Sequence, residues 1–436
     1  MSEIRTQAIP TLLDFDSRRP TLDFVDVLFL ISAFLVPLDL ILAASFTAYD
    51  FATVVLAFLI LVGARRLQFL PRRFVPAIYF FLLFAVLGTF RASHPLEAVT
   101  QILVFVFIFF AQLPVILTLT KSQFVLRMGL LLFFGGALVD AAWALIFHQV
   151  QGSGRVLTFV SDNPNRLGYP TAYLLPFALY FLFDSWRQKR HLVIVLALPV
   201  FYILIWALAA SASRSAAAGT VTGLIVFLSL RSGRKMNLKI VPRILSAVVV
   251  IALLSYLLYQ TSYFPTTLRT RIDRTLKLEQ SLVDDRGRLN IAGWLAFLDS
   301  PIIGVGLENF RYVAKEYLPI ATNQPPHNIW IQFLSQIGLF GTLAFLALMI
   351  YWFLMVFKAR YLTNDNSLRE LLAAFIASMT AIMTIYLFLP IMDQRQYWML
   401  YGLGLAVALS LGETPSQNAP APHKHPGFYS PKGVRP

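Results

Sequence analysis

Leu192 to Leu230 reads LVIVLALPVFYILIWALAASASRSAAAGTVTGLIVFLSL. A helix needs roughly 20 apolar residues to cross about 30 Å of hydrocarbon with its backbone hydrogen bonds closed internally. This stretch is long enough for two such helices, and it carries one charge, Arg214, inside Ser211-Ala212-Ser213-Arg214-Ser215. The pattern predicts two spans that meet in a tight turn with a cation in it. Working outward, similar runs recur over Phe24–Ser45, Phe51–Ala64, Phe74–Phe90, Ala98–Leu119, Met128–Phe147, Leu167–Phe183, His191–Ala210, Ser215–Leu230, Ile244–Tyr259, Asn328–Phe357, Leu371–Ile391 and Tyr397–Leu411. The expected fold is therefore an all-α polytopic membrane protein with about twelve transmembrane helices.

Composition agrees. Of 436 residues 58% are apolar and 13% charged, too apolar for a set of soluble domains. There is no cysteine, which removes thiolate nucleophiles and cysteine-ligated metal centres. A net charge of +14 in such a chain reads as cytoplasmic loops facing anionic lipid rather than as nucleic acid binding.

Residues 1–23 are charged and carry no signal-type apolar core, so they are expected to be a cytoplasmic tail. With that end inside, the inner segments hold most of the cations, among them Arg65, Arg66, Arg72, Arg73, Arg187, Lys189, Arg190, Arg231 and Lys235. The short outer loops hold Arg91, Arg155, Arg166, Arg214 and Arg395. Both termini are then cytoplasmic. The organisation expected is spans one to nine over 24–259, one long outer loop over 260–326, spans ten to twelve over 327–411, and a Pro, Gly and Lys-rich disordered tail over 412–436.

Polar chemistry collects on the outer face. Arg214 should face the bundle or an anion, because a cation within the bilayer is costly; the plainer reading is a loop residue that reaches back to water. Pro325-Pro326-His327-Asn328 closes the long loop and stiffens the approach to the tenth span, holding an imidazole that can accept a proton near neutral pH. Asn328, Gln332, Ser335 and Gln336 continue a polar stripe into the bundle, which also reads as interhelical glue, with Gly338 and Gly341 spaced for close helix packing. Upstream, Asp284-Asp285-Arg286-Gly287-Arg288 precedes Ile291, Trp294, Leu295 and Leu298 at helical spacing, an interfacial amphipathic helix. Its apolar face, turned to membrane and bundle, would carry Arg288, while Arg286 would point to solvent. A guanidinium pair at Arg214 and Arg288 could neutralise a diphosphate without metal. The outer carboxylates Asp162, Asp284, Asp285, Asp299, Glu308 and Glu316 leave a magnesium site open, although they show no octahedral spacing. A transporter or flippase would also suit twelve spans, but it should show broken helices or paired charges in matching halves, and no internal repeat is visible.

These residues resemble the O-antigen ligase and polymerase superfamily of bacterial membrane glycosyltransferases. The resemblance rests on His327-Asn328 followed by Leu334, Gly338 and Gly341, on Asp299-Ser300-Pro301-Ile302-Ile303-Gly304-Val305-Gly306 upstream, and on Gly287-Arg288, Ser213-Arg214-Ser215 and Asn163-Pro164-Asn165. It implies a GT-C-like arrangement in the bacterial inner membrane, with interfacial helices in a periplasmic loop and the active face periplasmic. It implies an undecaprenyl-diphosphate-linked glycan as donor and a glycan or lipid A core as acceptor, with membrane lipids as further partners. The transfer it implies is inverting, with no metal or other cofactor. His327 would activate the acceptor hydroxyl, Arg214 and Arg288 would hold the diphosphate, and Arg286, Asn328, Asn163, Asn165 and Gln332 would contribute to substrate binding. The family spacing fits Arg286 slightly better than Arg288, so face and spacing disagree. A ligase is preferred, and a polymerase joining lipid-linked repeats is the alternative.

Overall fold

The computed structural model describes residues 22–43, 46–63, 66–147, 156–158, 165–231, 280–390 and 394–412, with isolated positions between 233 and 266. Nearly all of both tails, most of the ninth expected span, the start of the long loop up to residue 279 apart from Thr266, and Asn163 lie outside these. Helix α1 (Phe24–Leu35) ends in a single 3-10 turn, and a two-stranded antiparallel hairpin, Ile41–Ala43 with Phe46–Thr47, leads into α2 (Ala48–Val62). Both helices begin with reciprocal caps, Asp23 with Asp26 and Thr47 with Asp50, which satisfy amide donors of the first turn. Then follow α3 (Val75–Thr89) and α4 (Pro95–Phe107), which continues through a π-turn into α5 (Leu113–Leu119). Next come α6 (Gln123–Phe147), α7 (Asn165–Arg187), α8 (His191–Ser211) and α9 (Arg214–Arg231). Helices α10 (Gln280–Asp299) and α11 (Phe310–Tyr317) precede α12 (Ile329–Leu362), α13 (Asn366–Tyr386) and α14 (Arg395–Gly412).

Among the described residues, six helical segments are long and apolar enough to cross a membrane: Arg72–Thr89, Pro95–Leu119, Gln123–Phe147, His191–Ser211, Ile329–Leu362 and Asn366–Tyr386. The expected spans at α1, α2, α7, α9 and α14 are also helices, but shorter or less apolar. The physical reason lies in packing. Only 11% of the apolar window of α8 is buried, so its side chains face lipid, whereas 72% of that of α13 is buried and can carry small and polar residues. Helix α13 packs against α7 and α9. Gly219 and Gly223 of α9 bring the backbones together: a Cβ on Gly219 would lie 3.0 Å from the Ala381 carbonyl oxygen. Helix α7 fits between them, its Ser378 contact being a hydroxyl donated at 2.6 Å to the Tyr173 carbonyl.

The two ends of the bundle are pinned by ions. At one end Arg395 forks onto Asp50 with two bonds of 3.0 Å, and Arg166 pairs with Asp39. At the other, Arg187 and Arg231 converge on Glu370 at 2.7 and 3.1 Å. The α10–α11 unit is tied to the first of these ends. Arg91 meets Asp299 at 2.9 Å, the fully buried Asn309 accepts from the His94 amide at 2.7 Å, and the His94 ring stacks on Tyr312.

Candidate functional site

His327 stands just outside the first turn of α12. Asn328 is the cap of that helix: its backbone is extended and its side-chain oxygen accepts from the amides of Trp330 (2.9 Å) and Ile331 (3.3 Å). That geometry gives Asn328 a structural job and fixes the residue before it. Pro326 is buried against α10, where a Cβ on Gly293 would lie 2.9 Å from the proline ring and 2.8 Å from Ile331. The imidazole is thus clamped between a cap and a helix crossing. Its Nδ1 is buried with no hydrogen-bond partner. Burial, and then the charge of Arg286, push its pKa down to about 4, so the ring is neutral at ordinary pH.

Arg286 comes from α10. The helix begins early enough to include both arginines, and the stripe that packs inward runs through Leu289, Gly293 and Ala296, set against Val305, Phe310, Val313 and Ala314. Arg286 lies on this stripe, two turns before Gly293. Ile291, Trp294, Leu295 and Leu298, whose face was expected to turn toward membrane and bundle, are 38–57% exposed, as a face turned to membrane rather than bundle would be. Arg288 falls on that face at helical spacing but is half-buried, and Arg286 is the more exposed of the two. The large apolar side chains therefore do not make the contact with the bundle. Small residues make the packed face here, since two backbones must approach closely. Arg286 is open to solvent over part of its surface, yet burial and then repulsion by Arg214 lower its pKa, and Tyr169 opposes that shift.

Arg214 is the first residue of α9. The chain reverses through Ala212 in the left-handed region (φ 46°), and the Ser213 hydroxyl oxygen accepts from the Ala216 amide at 3.4 Å. Gly168 of α7 abuts this turn, where a Cβ would fall 2.4 Å from the Ser211 hydroxyl. Buried Tyr169, next in sequence, is thereby carried to the cluster. The turn, an exposed Arg214, Arg286 and His327 thus meet at one end of the bundle, each residue acting electrostatically on the next. Among the described residues neither Arg214 nor Arg286 has an ion-pair partner, whereas Arg91, Arg166, Arg311 and Arg395 at this end each sit on a carboxylate.

Beneath the cluster, α12 is broken. Gly338 has φ 67° and ψ −172°, and the chain from Ser300 to Gly306 fills the gap. The amides of Val305 and Gly306 donate to the carbonyls of Ser335 and Gln336 (both 2.9 Å), and the Leu339 amide donates to Pro301 (2.8 Å). The backbone groups freed by the break are therefore satisfied by protein, the condition under which irregular chain survives at membrane depth. A side chain at Gly338 would place Cβ 2.1 Å from the Ile302 carbonyl oxygen, and at Gly304 (φ 68°) 2.3 Å from the Gln336 carbonyl carbon. Gly338 thus serves a helix break that admits a loop, where close helix packing was expected. At Gly341 the three atoms nearest to an added Cβ all belong to Ile337 of the same helix.

Gln332 is buried, its amide 3.5 Å from Glu308, which pairs with Arg311 and has a left-handed backbone (φ 56°). The Glu308 amide donates to the Gln336 side chain at 3.2 Å. These contacts brace the loop in the break. Asn165 opens α7 half-buried. Sequence reasoning missed Tyr169, and it named Glu308 only among carboxylates open to magnesium, not as a brace of this loop. An aromatic inside an apolar helix carries no polar signal, and a left-handed glutamate has none in composition. Among the described residues no group of three or more His, Asp or Glu is placed to hold a metal; Asp299 and Glu308 are engaged by Arg91 and Arg311. Asp162 and the side chains of Asp284 and Asp285 lie outside the described residues.

Comparison with curated proteins finds no match. Comparison with family models matches residues 199–346 to the O-antigen ligase family. The matched segment runs from α8 through the broken part of α12 and encloses Arg214, Arg286, Arg288 and His327. The chain is a multi-pass membrane protein whose residues 199–346 are similar to the O-antigen ligase family.

Proposed function

We propose that this enzyme transfers a glycan from undecaprenyl diphosphate to a sugar hydroxyl of lipid A core at the periplasmic face of the bacterial inner membrane. The observation that carries the reading is the pair of arginines, Arg214 and Arg286, that repel one another without a carboxylate partner among the described residues, beside a neutral His327. Such a pair is complementary to a diphosphate, whose oxygens match the guanidinium fork. The prenyl chain would stay in the bilayer beside the exposed apolar face of α10, with the sugars in water.

In the reaction the acceptor oxygen bonds to the anomeric carbon from the face opposite the diphosphate, while the bond from that carbon to the diphosphate oxygen breaks. His327 takes the acceptor's proton, undecaprenyl diphosphate departs, and Arg214 and Arg286 stabilise the charge that grows on it. Two residues thereby share one electrostatic problem. Before the donor binds, Arg286 helps keep His327 a weak base. The donor's negative charge offsets Arg286 and moves the imidazole pKa back up, so the base strengthens when there is a bond to make. No step requires a metal.

The test uses the full chain, purified, with undecaprenyl-diphosphate glycan and lipid A core in chelator. Product is expected from the native protein, and His327→Ala should lower turnover by about 100-fold or more while the protein stays folded. Turnover at the native rate in that variant would remove the base. A demand for divalent cation would remove the metal-independent scheme. Preference for a second lipid-linked unit as acceptor would make the enzyme a polymerase.

A further inference from the structure

At the end of the bundle remote from His327, the last turns of α7 and α9 and the first turn of α13 surround a cavity of about 370 Å³, lined by Arg187, Arg231, Asn366, Arg369 and Glu370. Helix α9 fixes the separation: Arg214 opens it and Arg231 closes it, about 25 Å apart at 1.5 Å per residue. Not all of the positive charge here is offset. Arg187 reaches Asp184 (3.1 Å) and Glu370 (2.7 Å), and Arg231 reaches Glu370 (3.1 Å) with its guanidinium over the Phe183 ring. Arg369 differs. Its guanidinium meets only neutral groups, Asn366 and the Thr363 carbonyl, both at 3.0 Å, and its Nε is buried with no hydrogen-bond partner. Among the described residues it has no carboxylate. Trp186, next to Arg187 in sequence, and Tyr361, in the last turn of α12, are exposed at this end of the bundle, 69% and 55% accessible. Aromatic residues with one apolar and one polar edge mark the headgroup level of a bilayer.

We propose that this cavity binds the phosphate of an anionic lipid headgroup, with Arg369 as its chief cation and Arg187 and Arg231 as the walls. The phosphate supplies the counter-charge that Arg369 lacks, and its acyl chains run down the lipid-facing surface of the helices. A soluble phosphate could satisfy the same guanidinium groups, but the exposed aromatics put the cavity where lipid phosphates reside. This site takes no part in glycan transfer, so it stands or falls separately from the reaction above.

The experiment is native mass spectrometry of the full chain released from detergent, with phosphatidylglycerol, phosphatidylcholine or inorganic phosphate added, for native protein, Arg369→Gln and Lys121→Gln. Lys121 is an exposed cation beside the short turn that ends α5, so its loss controls for charge in general. Native protein should retain phosphatidylglycerol over phosphatidylcholine. Arg369→Gln should lose about fivefold of that retention, and Lys121→Gln should keep it. Thermal unfolding and glycan transfer should be unchanged in Arg369→Gln, which separates a lost ligand from a lost fold. Equal retention of the two lipids, or equal losses in the two variants, would overturn the proposal. Stabilisation by inorganic phosphate alone to the level reached with phosphatidylglycerol would overturn the assignment to lipid.

Discussion

The two ends of this bundle use arginine in opposite ways. At one, Arg187 and Arg231 close on Glu370 and hold the termini of α7, α9 and α13 together. At the other, Arg214 at the α8–α9 turn and Arg286 of α10 repel one another without a carboxylate partner among the described residues, near an imidazole that burial keeps uncharged. The difference teaches what each cluster is for. The Arg187–Glu370–Arg231 triad fastens three helices whether or not the neighbouring Arg369 holds an anion. An uncompensated pair costs stability until an anion arrives, so it earns its place only through a ligand.

If that contrast holds, neutralising the two kinds of arginine site should separate activity from stability. The largest effect is expected on turnover: Arg214→Gln or Arg286→Gln should each lower it by about 100-fold or more, with thermal stability equal to or above that of the native protein because repulsion is relieved. Steady-state transfer beside thermal unfolding checks this, and parallel losses in both would erase the contrast. Smaller and of the other kind, Glu370→Gln should destabilise by about 1 to 2 kcal/mol, since it strands the partly exposed Arg231 and leaves Arg187 only Asp184, while transfer by the folded fraction is unchanged. Unfolding that matched the native protein would make the fastener idle.

Smallest is a pH effect that sharpens the electrostatic side. His327 titrates near 4 in the free protein, so it loses its function as a base only when pH falls to that region; kcat/KM should stay level down to about pH 5. Removing the neighbouring charge in Arg286→Gln favours the protonated form, so the acid limb of the residual activity should move up toward the ordinary histidine value. A limb that stays in place would detach Arg286 from His327.

Much of the helical layout is legible in the sequence, because a bilayer demands long apolar runs and leaves few alternatives. Eleven of the expected segments coincide with described helices, and Ser211 to Ser215 forms the turn that its one charge suggests. His327 could be read from the paired prolines before it. What could not be read is the rotation of α10. Periodicity reports that Ile291, Trp294, Leu295 and Leu298 share a face, but not whether that face meets lipid or protein, and this decides between Arg286 and Arg288. The break at Gly338 was hidden for a related reason. A glycine in an apolar helix signals close approach, and only the partner, here Ile302, tells whether it is another helix or a loop. Tyr169 came into view through the turn that Gly168 packs against, a contact between segments far apart in sequence.

The most direct measurement is the affinity of the full chain for undecaprenyl diphosphate, compared among native protein, Arg286→Gln and Arg288→Gln. Each substitution removes one charge from the same helix, two residues apart, so general electrostatics cancels. The account predicts that Arg286→Gln weakens binding by about tenfold or more, the scale of one charge-assisted contact, while Arg288→Gln stays close to the native protein. The reverse order, or equal losses, would contradict a diphosphate site built from Arg214 and Arg286 beside His327.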